Sequence, residues 1–236
     1  MKWSEFFTSS IGKKLVMSLS GLFLISFLVV HVGLNLTVFN DLPIFDPNDD
    51  GRMFNKAAHF MGSTVVIRIM EIGLFVFFLI HIIQGYVLTA QNQSKRKVGY
   101  KVGLGSRGTT WYSKSMGLLG TLLLIFLVVH IAHFWVPSRV TQDLTPVEYG
   151  DMEAHDLFQR MIDVFHNPLI VLLYVIGCIS LGWHLLHGFQ SAFRTLGLSN
   201  HRYIDTMKAM GAGFSILVPL LFALMPIAMH FGWIHS

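Results

Sequence analysis

The sequence from Ser115 to Val136 reads SMGLLGTLLLIFLVVHIAHFWV. It contains no Asp, Glu, Lys or Arg, and it is as long as the run of about 20 apolar residues that a transmembrane helix needs. Two more apolar runs precede it and two follow it, and one of these four contains Arg68 and Glu71. The predicted transmembrane helices cover residues 15–39, 64–90, 115–136, 168–193 and 209–233. The sequence therefore predicts an all-α, polytopic membrane protein with one membrane domain, residues 1–236.

The composition agrees with a lipid environment. Hydrophobic residues make up 53% of the 236-residue chain and charged residues 13%, whereas soluble domains carry roughly 25% charged residues. The single cysteine excludes an internal disulfide, an iron–sulfur cluster and a cysteine zinc site.

The loop charges predict the orientation. Basic residues cluster at 2–14, 95–114 and 194–208, whereas the loops at 41–50 and 143–163 are acidic. Because positive loops stay in the cytoplasm, we expect a cytoplasmic N-terminus and an external C-terminus. The basic clusters fit contact with anionic lipid or a docked cytoplasmic partner. Nucleic-acid binding is not expected, because no soluble domain presents them.

Four of the predicted helices carry a histidine at a matching depth. His31 and His130 lie roughly 24 Å and about 22 Å along helices that run outward. His81 and His184 come 17 and 16 residues after the starts of helices that run inward. Two pairs at two levels are the arrangement that two bis-histidine haems require, since haem iron takes an axial ligand on each face.

Glycines and further histidines accompany these pairs. Gly85 and Gly188 each follow a histidine by one helical turn, which predicts clearance for a haem beside the ligand. Ordinary close helix packing is the alternative reading of both glycines. His133 and His187 each lie three residues after a ligand, as in some zinc or di-iron sites. The acidic residues that a di-iron site needs are missing from the helices apart from Glu71.

The sequence also resembles a known family. It is similar to the cytochrome b subunit of succinate dehydrogenase and of the related quinol:fumarate reductase, in the single-subunit, five-helix, two-haem form. The resemblance rests on these motifs: Ser20-Gly-Leu with His31 and Asn35-Leu, FNKAAHFM at 54–61, Leu79-Ile-His81-x-x-x-Gly85, Val129-His130, and WHLLHGFQSAFRTLG at 183–197.

The resemblance implies a ligand set and partners. His31 and His130 correspond to the distal haem b ligands, and His81 and His184 to the proximal ones. A flavoprotein subunit would oxidise succinate, a step of the tricarboxylic acid cycle. An iron–sulfur subunit would pass the electrons through this anchor to menaquinone in the bacterial cytoplasmic membrane. The chain itself would perform no chemistry on succinate. Gly182 stands where some fumarate reductases have a glutamate, which favours succinate oxidation over the reverse reaction.

The quinone site and the rival functions stay open. Quinone candidates are Asn35, Arg68, Glu71 and His133, and an interfacial ion pair is the alternative for Arg68 with Glu71. One rival is a di-haem cytochrome b of a hydrogenase or formate dehydrogenase, against which the run at 183–197 argues. Another is a transporter or channel whose histidines relay protons.

Overall fold

Helices dominate the fold. The computed structural model describes residues 9–94, 115–150, 152–198 and 202–234. In chain order its elements are α1 (Ser10–Asn35), a 3-10 turn (Leu36–Asp41), α2 (Arg52–Ser63), α3 (Val65–Ser94), α4 (Met116–His130), a π-helical turn (Ile131–Trp135), α5 (Val136–Arg139), β1 (Pro146–Tyr149), β2 (Met152–His155), α6 (Leu157–Phe165), α7 (Pro168–Thr195) and α8 (Ile204–His230).

Five segments among the described residues are long and apolar enough to cross a membrane, and they confirm the predicted number. They are Ser10–Asp41, Val65–Ser94, Met116–Arg139, Pro168–Thr195 and Ile204–His230. The predicted bounds differ from the observed ones by up to one and a half turns. Apolar runs mark only the part of a helix that matches lipid, and a helix continues through polar residues such as Lys13 and Lys14 when their side chains reach solvent.

The outer surfaces of these helices are apolar. No residue of α3 is buried, and Val65 and Ile72 are 71% and 68% exposed. When the rest of the protein does not bury a helix that is mostly apolar around its circumference, the surrounding lipid has to do so. Its backbone hydrogen bonds are satisfied within the helix, as lipid requires.

A compact cap between the long helices was not predicted. It contains α2, α6 and the two-stranded antiparallel hairpin of β1 and β2. The hairpin is a small exception to the predicted all-α fold. The sequence does not predict the hairpin, because strands of four residues carry almost no periodicity.

Asn55 organises this cap. Its side chain is completely buried, and its Nδ2 donates to the Tyr149 hydroxyl and to Asp156 Oδ1, each at 2.9 Å. Its Oδ1 accepts from the backbone N–H of Phe158 at 3.0 Å. Burial raises the pKa of Tyr149, and the hydrogen bond from Asn55 opposes that rise. One amide thus joins α2 to the hairpin and to the start of α6.

The chain forms two compact units. The first contains the described residues within 1–26, 73–123 and 180–216, and the second those within 27–72, 124–179 and 217–236. The prediction of one membrane domain stays a prediction. Several predicted features lie outside the described residues: the basic cluster at 95–114 and the N-terminal positions up to residue 8.

Candidate functional site

The first unit brings together the histidines of α3 and α7. The ring centroids of His81 and His184 are 6.1 Å apart, and their planes are inclined by 64°. Two imidazoles that bind one metal from opposite sides, at metal–nitrogen distances of about 2.0–2.1 Å, place their centroids roughly 6–6.5 Å apart. The separation of these rings therefore suits a shared metal ion.

The second unit brings together the histidines of α1 and α4. The ring centroids of His31 and His130 are 5.8 Å apart, and the planes are nearly perpendicular at 87°. Phe27 stacks on His31 at 5.0 Å, and Phe126 stacks on His130 at 5.6 Å. The two imidazoles are held by aromatic neighbours from their own helices.

Two imidazole nitrogens in these pairs lack a protein partner. Nδ1 of His130 and Nδ1 of His184 are enclosed and make no hydrogen bond with the described residues. A buried polar group without a partner costs about 1–3 kcal/mol. One histidine of each pair therefore carries a polar atom that the described residues do not satisfy, and this atom differs from the Nε2 that would be free to bind a metal.

The donor set favours haem over a bare metal ion. Among the described residues, no group of three or more His, Cys, Asp or Glu side chains could hold a metal ion. Structural and catalytic zinc sites need at least three protein ligands. A haem iron needs only one or two axial ligands from the protein, because the porphyrin supplies the other four nitrogens. Two isolated pairs of imidazoles suit that requirement.

Space is available beside the first pair. A Cβ added at Gly188 would meet no atom within 4 Å, and one added at Gly85 would meet only Met17 Cε at 3.7 Å. Neither glycine is therefore explained by close helix packing. Open space one turn after a candidate ligand is consistent with the predicted clearance.

No family model, curated protein or solved structure matches the chain. The resemblance to the succinate dehydrogenase cytochrome b subunit therefore stays a prediction. The case for function depends on the side chains themselves, above all on the two histidine pairs.

The candidate quinone residue Glu71 lies in an ion-pair network. Its Oε2 is 3.4 Å from Arg68 Nη1, and its Oε1 is 3.7 Å from Arg139 Nε. Oε1 also accepts a hydrogen bond from the indole N–H of Trp135. Because both carboxylate oxygens have protein partners, this geometry favours the ion-pair alternative for Arg68 with Glu71.

The other two quinone candidates belong to different local networks. Asn35 Nδ2 donates to the backbone carbonyl of His31 at 2.8 Å and lies 3.4 Å from that residue's Nδ1. His133 Nδ1 is 3.0 Å from the Tyr174 hydroxyl, and the two rings stack at 5.9 Å. The four candidates thus occupy three networks, and the assignment of a quinone site stays a prediction.

A π-helical turn, Ile131–Trp135, follows His130 and contains His133. Pro137 has no N–H, so it cannot donate to the carbonyl of His133 four residues earlier. Arg160 Nε, from α6, donates to that carbonyl at 3.1 Å instead. The proline explains why the α-helix becomes a π-helix at Ile131–Trp135. Arg160 compensates by supplying the hydrogen bond that the His133 carbonyl would otherwise lack.

Sequence reasoning missed several of these side chains. Pro137 was expected to bound the third predicted helix as a turn residue, whereas it lies inside α5 (Val136–Arg139). The contacts made by Tyr174 and Arg160 leave no signal in the sequence, because they depend on how neighbouring helices are rotated.

Proposed function

We propose that this chain is the membrane-anchor cytochrome b subunit of a succinate:quinone oxidoreductase. It passes electrons from an iron–sulfur subunit through two b haems to menaquinone. The observation that carries the proposal is the pairing of imidazoles from four apolar helices, at 6.1 Å and 5.8 Å. Ionisable side chains inside a membrane are costly, so paired histidines there indicate function.

The chain's own residues would bind and insulate the haems. His81 and His184 would hold the proximal haem, and His31 and His130 the distal one. Each haem, when bound, supplies one-electron transfer at its iron. Phe27 and Phe126, which stack on His31 and His130, would shield these rings from water.

The charges support the orientation and the partners. Lys13, Lys14, Arg194 and Lys208 lie near the ends of α1, α7 and α8 that we assign to the cytoplasm. The cap, with its acidic residues between 143 and 163, belongs to the outside. A basic cytoplasmic face suits docking of the flavoprotein and iron–sulfur subunits. The motif resemblance, with Gly182 in place of a glutamate, favours succinate oxidation as the physiological direction.

The test is a haem count on the chain purified with its copurifying subunits. A dithionite-reduced minus oxidised spectrum and a pyridine haemochrome assay should give two protohaems per chain. His31→Ala and His81→Ala should each retain one. His155→Ala is the matched control, because His155 is exposed on β2 and its loss should leave both haems.

The partner claim needs its own measurement. Copurified flavin, iron–sulfur clusters and succinate-dependent reduction of a menaquinone analogue support a complex of the succinate dehydrogenase type. A haem-loaded preparation that reduces quinone with formate or hydrogen, and not with succinate, contradicts it. An intact, membrane-inserted chain without haem overturns the whole proposal, and the histidines become candidates for a proton pathway.

A further inference from the structure

A serine of α1 contacts the candidate ligand His81 on α3. Ser20 Oγ lies 3.2 Å from His81 Nδ1, and Ser20 is only 1% exposed. A hydroxyl so deeply buried between apolar helices is expected to have a specific partner. The ring of His81 also lies close to the backbone of α1, since a Cβ added at the neighbouring Gly21 would be 3.4 Å from His81 Cε1.

The direction of this hydrogen bond follows from a second contact. The Ser20 hydroxyl donates to the backbone carbonyl of Met17 at 3.1 Å. A hydroxyl has one hydrogen to donate and two lone pairs to accept with. The Ser20 oxygen can therefore accept a hydrogen bond, and its donor is the N–H at His81 Nδ1.

This direction sets the tautomer of the ring. A neutral imidazole carries its hydrogen on one nitrogen only, and the hydrogen bond made by that nitrogen determines which one remains for a metal. With the hydrogen on Nδ1, Nε2 of His81 has a free lone pair. The hydrogen bonds that link Met17, Ser20 and His81 thus leave Nε2 of His81 free to bind a metal.

We propose that Ser20 is the positioning residue of the haem held by His81 and His184, a role that rests on the proposed function. It fixes the ring orientation and the Nε2-ligating tautomer of His81. It also makes the imidazole a stronger electron donor, because an acceptor at the distant N–H raises the basicity of a metal-bound histidine. His184 has no equivalent partner at Nδ1 among the described residues, so the two ligands of this haem differ.

Removing the hydroxyl should change the haem in a defined direction. In Ser20→Ala and Ser20→Val, His81 loses its acceptor and becomes a weaker donor, so the ferric state is less stabilised and the midpoint potential of this haem rises. Loss of such a partner typically lowers the affinity of a metal site about 10–100-fold. Ser20→Thr keeps a hydroxyl and should keep the wild-type potential. Thr and Val have nearly the same shape, so their comparison isolates the hydrogen bond.

The experiment is a redox titration of the purified, haem-loaded complex, followed by haem absorbance and by the electron paramagnetic resonance of the ferric low-spin haems. The matched control is Ser18→Ala. Ser18 is also buried in α1, at 6% exposed, but among the described residues its hydroxyl bonds only to the backbone carbonyl of Lys14. We expect a raised potential and an altered ferric signal for one haem in Ser20→Ala and Ser20→Val, and neither change in Ser20→Thr or Ser18→Ala.

The outcomes separate this role from the proposed function. A wild-type chain without haem overturns both. Two haems whose potentials are the same in Ser20→Val and in the wild type overturn the role of Ser20 alone. An equal change in Ser20→Thr and Ser20→Val also overturns it, since the hydroxyl then makes no difference. Loss of one haem from Ser20→Val, with retention in Ser20→Thr, supports it.

Discussion

The ring of Phe126 stacks on the imidazole of His130, with centroids 5.6 Å apart and planes inclined by 22°. Phe126 also lies against Gly177 of α7. A Cβ added at Gly177 would lie 2.5 Å from Phe126 Cδ2, closer than two carbon atoms can approach. Gly177 therefore allows Phe126 to support His130 in its position.

Gly177→Ala should displace Phe126 and with it the ring of His130. Overpacking of this kind typically costs 1–3 kcal/mol, and here we expect selective loss of the haem held by His31 and His130. The haemochrome assay should fall from two haems per chain toward one. Gly120→Ala on α4 is the control, because a Cβ there would meet nothing within 4 Å. An unchanged haem count in Gly177→Ala would show that the added methyl group does not displace Phe126 from His130.

Gly188→Ala tests whether the space beside His184 is used. In the protein alone, the added methyl group meets no atom within 4 Å, and alanine stabilises a helix interior by roughly 0.5–1 kcal/mol relative to glycine. A haem in that space would collide with it. We therefore expect loss of the proximal haem from a chain that remains folded and membrane-inserted. Gly213→Ala on α8, which also meets nothing within 4 Å, should keep both haems. Two haems in Gly188→Ala would place the proximal haem elsewhere.

The sequence predicted the long helices, because the length of an apolar run indicates a membrane span. It brought together His81 with His184 and His31 with His130, as the structure does. It could not predict the contacts of Ser20, which depend on the rotation of α1 against α3. The cap of α2, α6 and the hairpin also escaped prediction, since Asn55 forms its contacts with residues about 100 positions away.

Glu71→Gln tests whether Glu71 stabilises the chain as an ion-pair partner or binds quinone. Among the described residues, the change removes the one acidic side chain that pairs with Arg68 and Arg139, which are 50% and 25% exposed. Solvent screens the half-exposed Arg68, but leaving the more buried Arg139 without its partner costs about 1–3 kcal/mol, so the haem spectrum should be lost at a lower temperature. The exposed pair of Lys208 with Asp205 is the control, because Asp205→Asn should change stability by at most about 1 kcal/mol. A raised KM for quinone without a thermal shift would favour the quinone reading instead.

Arg160 and Pro137 should be energetically coupled through the backbone carbonyl of His133. Arg160→Leu removes the 3.1 Å hydrogen bond to the His133 carbonyl, and an unsatisfied carbonyl costs about 1–3 kcal/mol. Pro137→Ala restores an N–H four residues after His133, so that the helix can satisfy the carbonyl itself. Arg160→Leu should therefore destabilise the chain less in the Pro137→Ala background than in the wild type. The interaction energy of this double-mutant cycle, measured by denaturant unfolding, should be roughly 0.5–3 kcal/mol. If the two effects are additive, the hydrogen bond from Arg160 to the His133 carbonyl is not the contact by which Arg160 stabilises the chain.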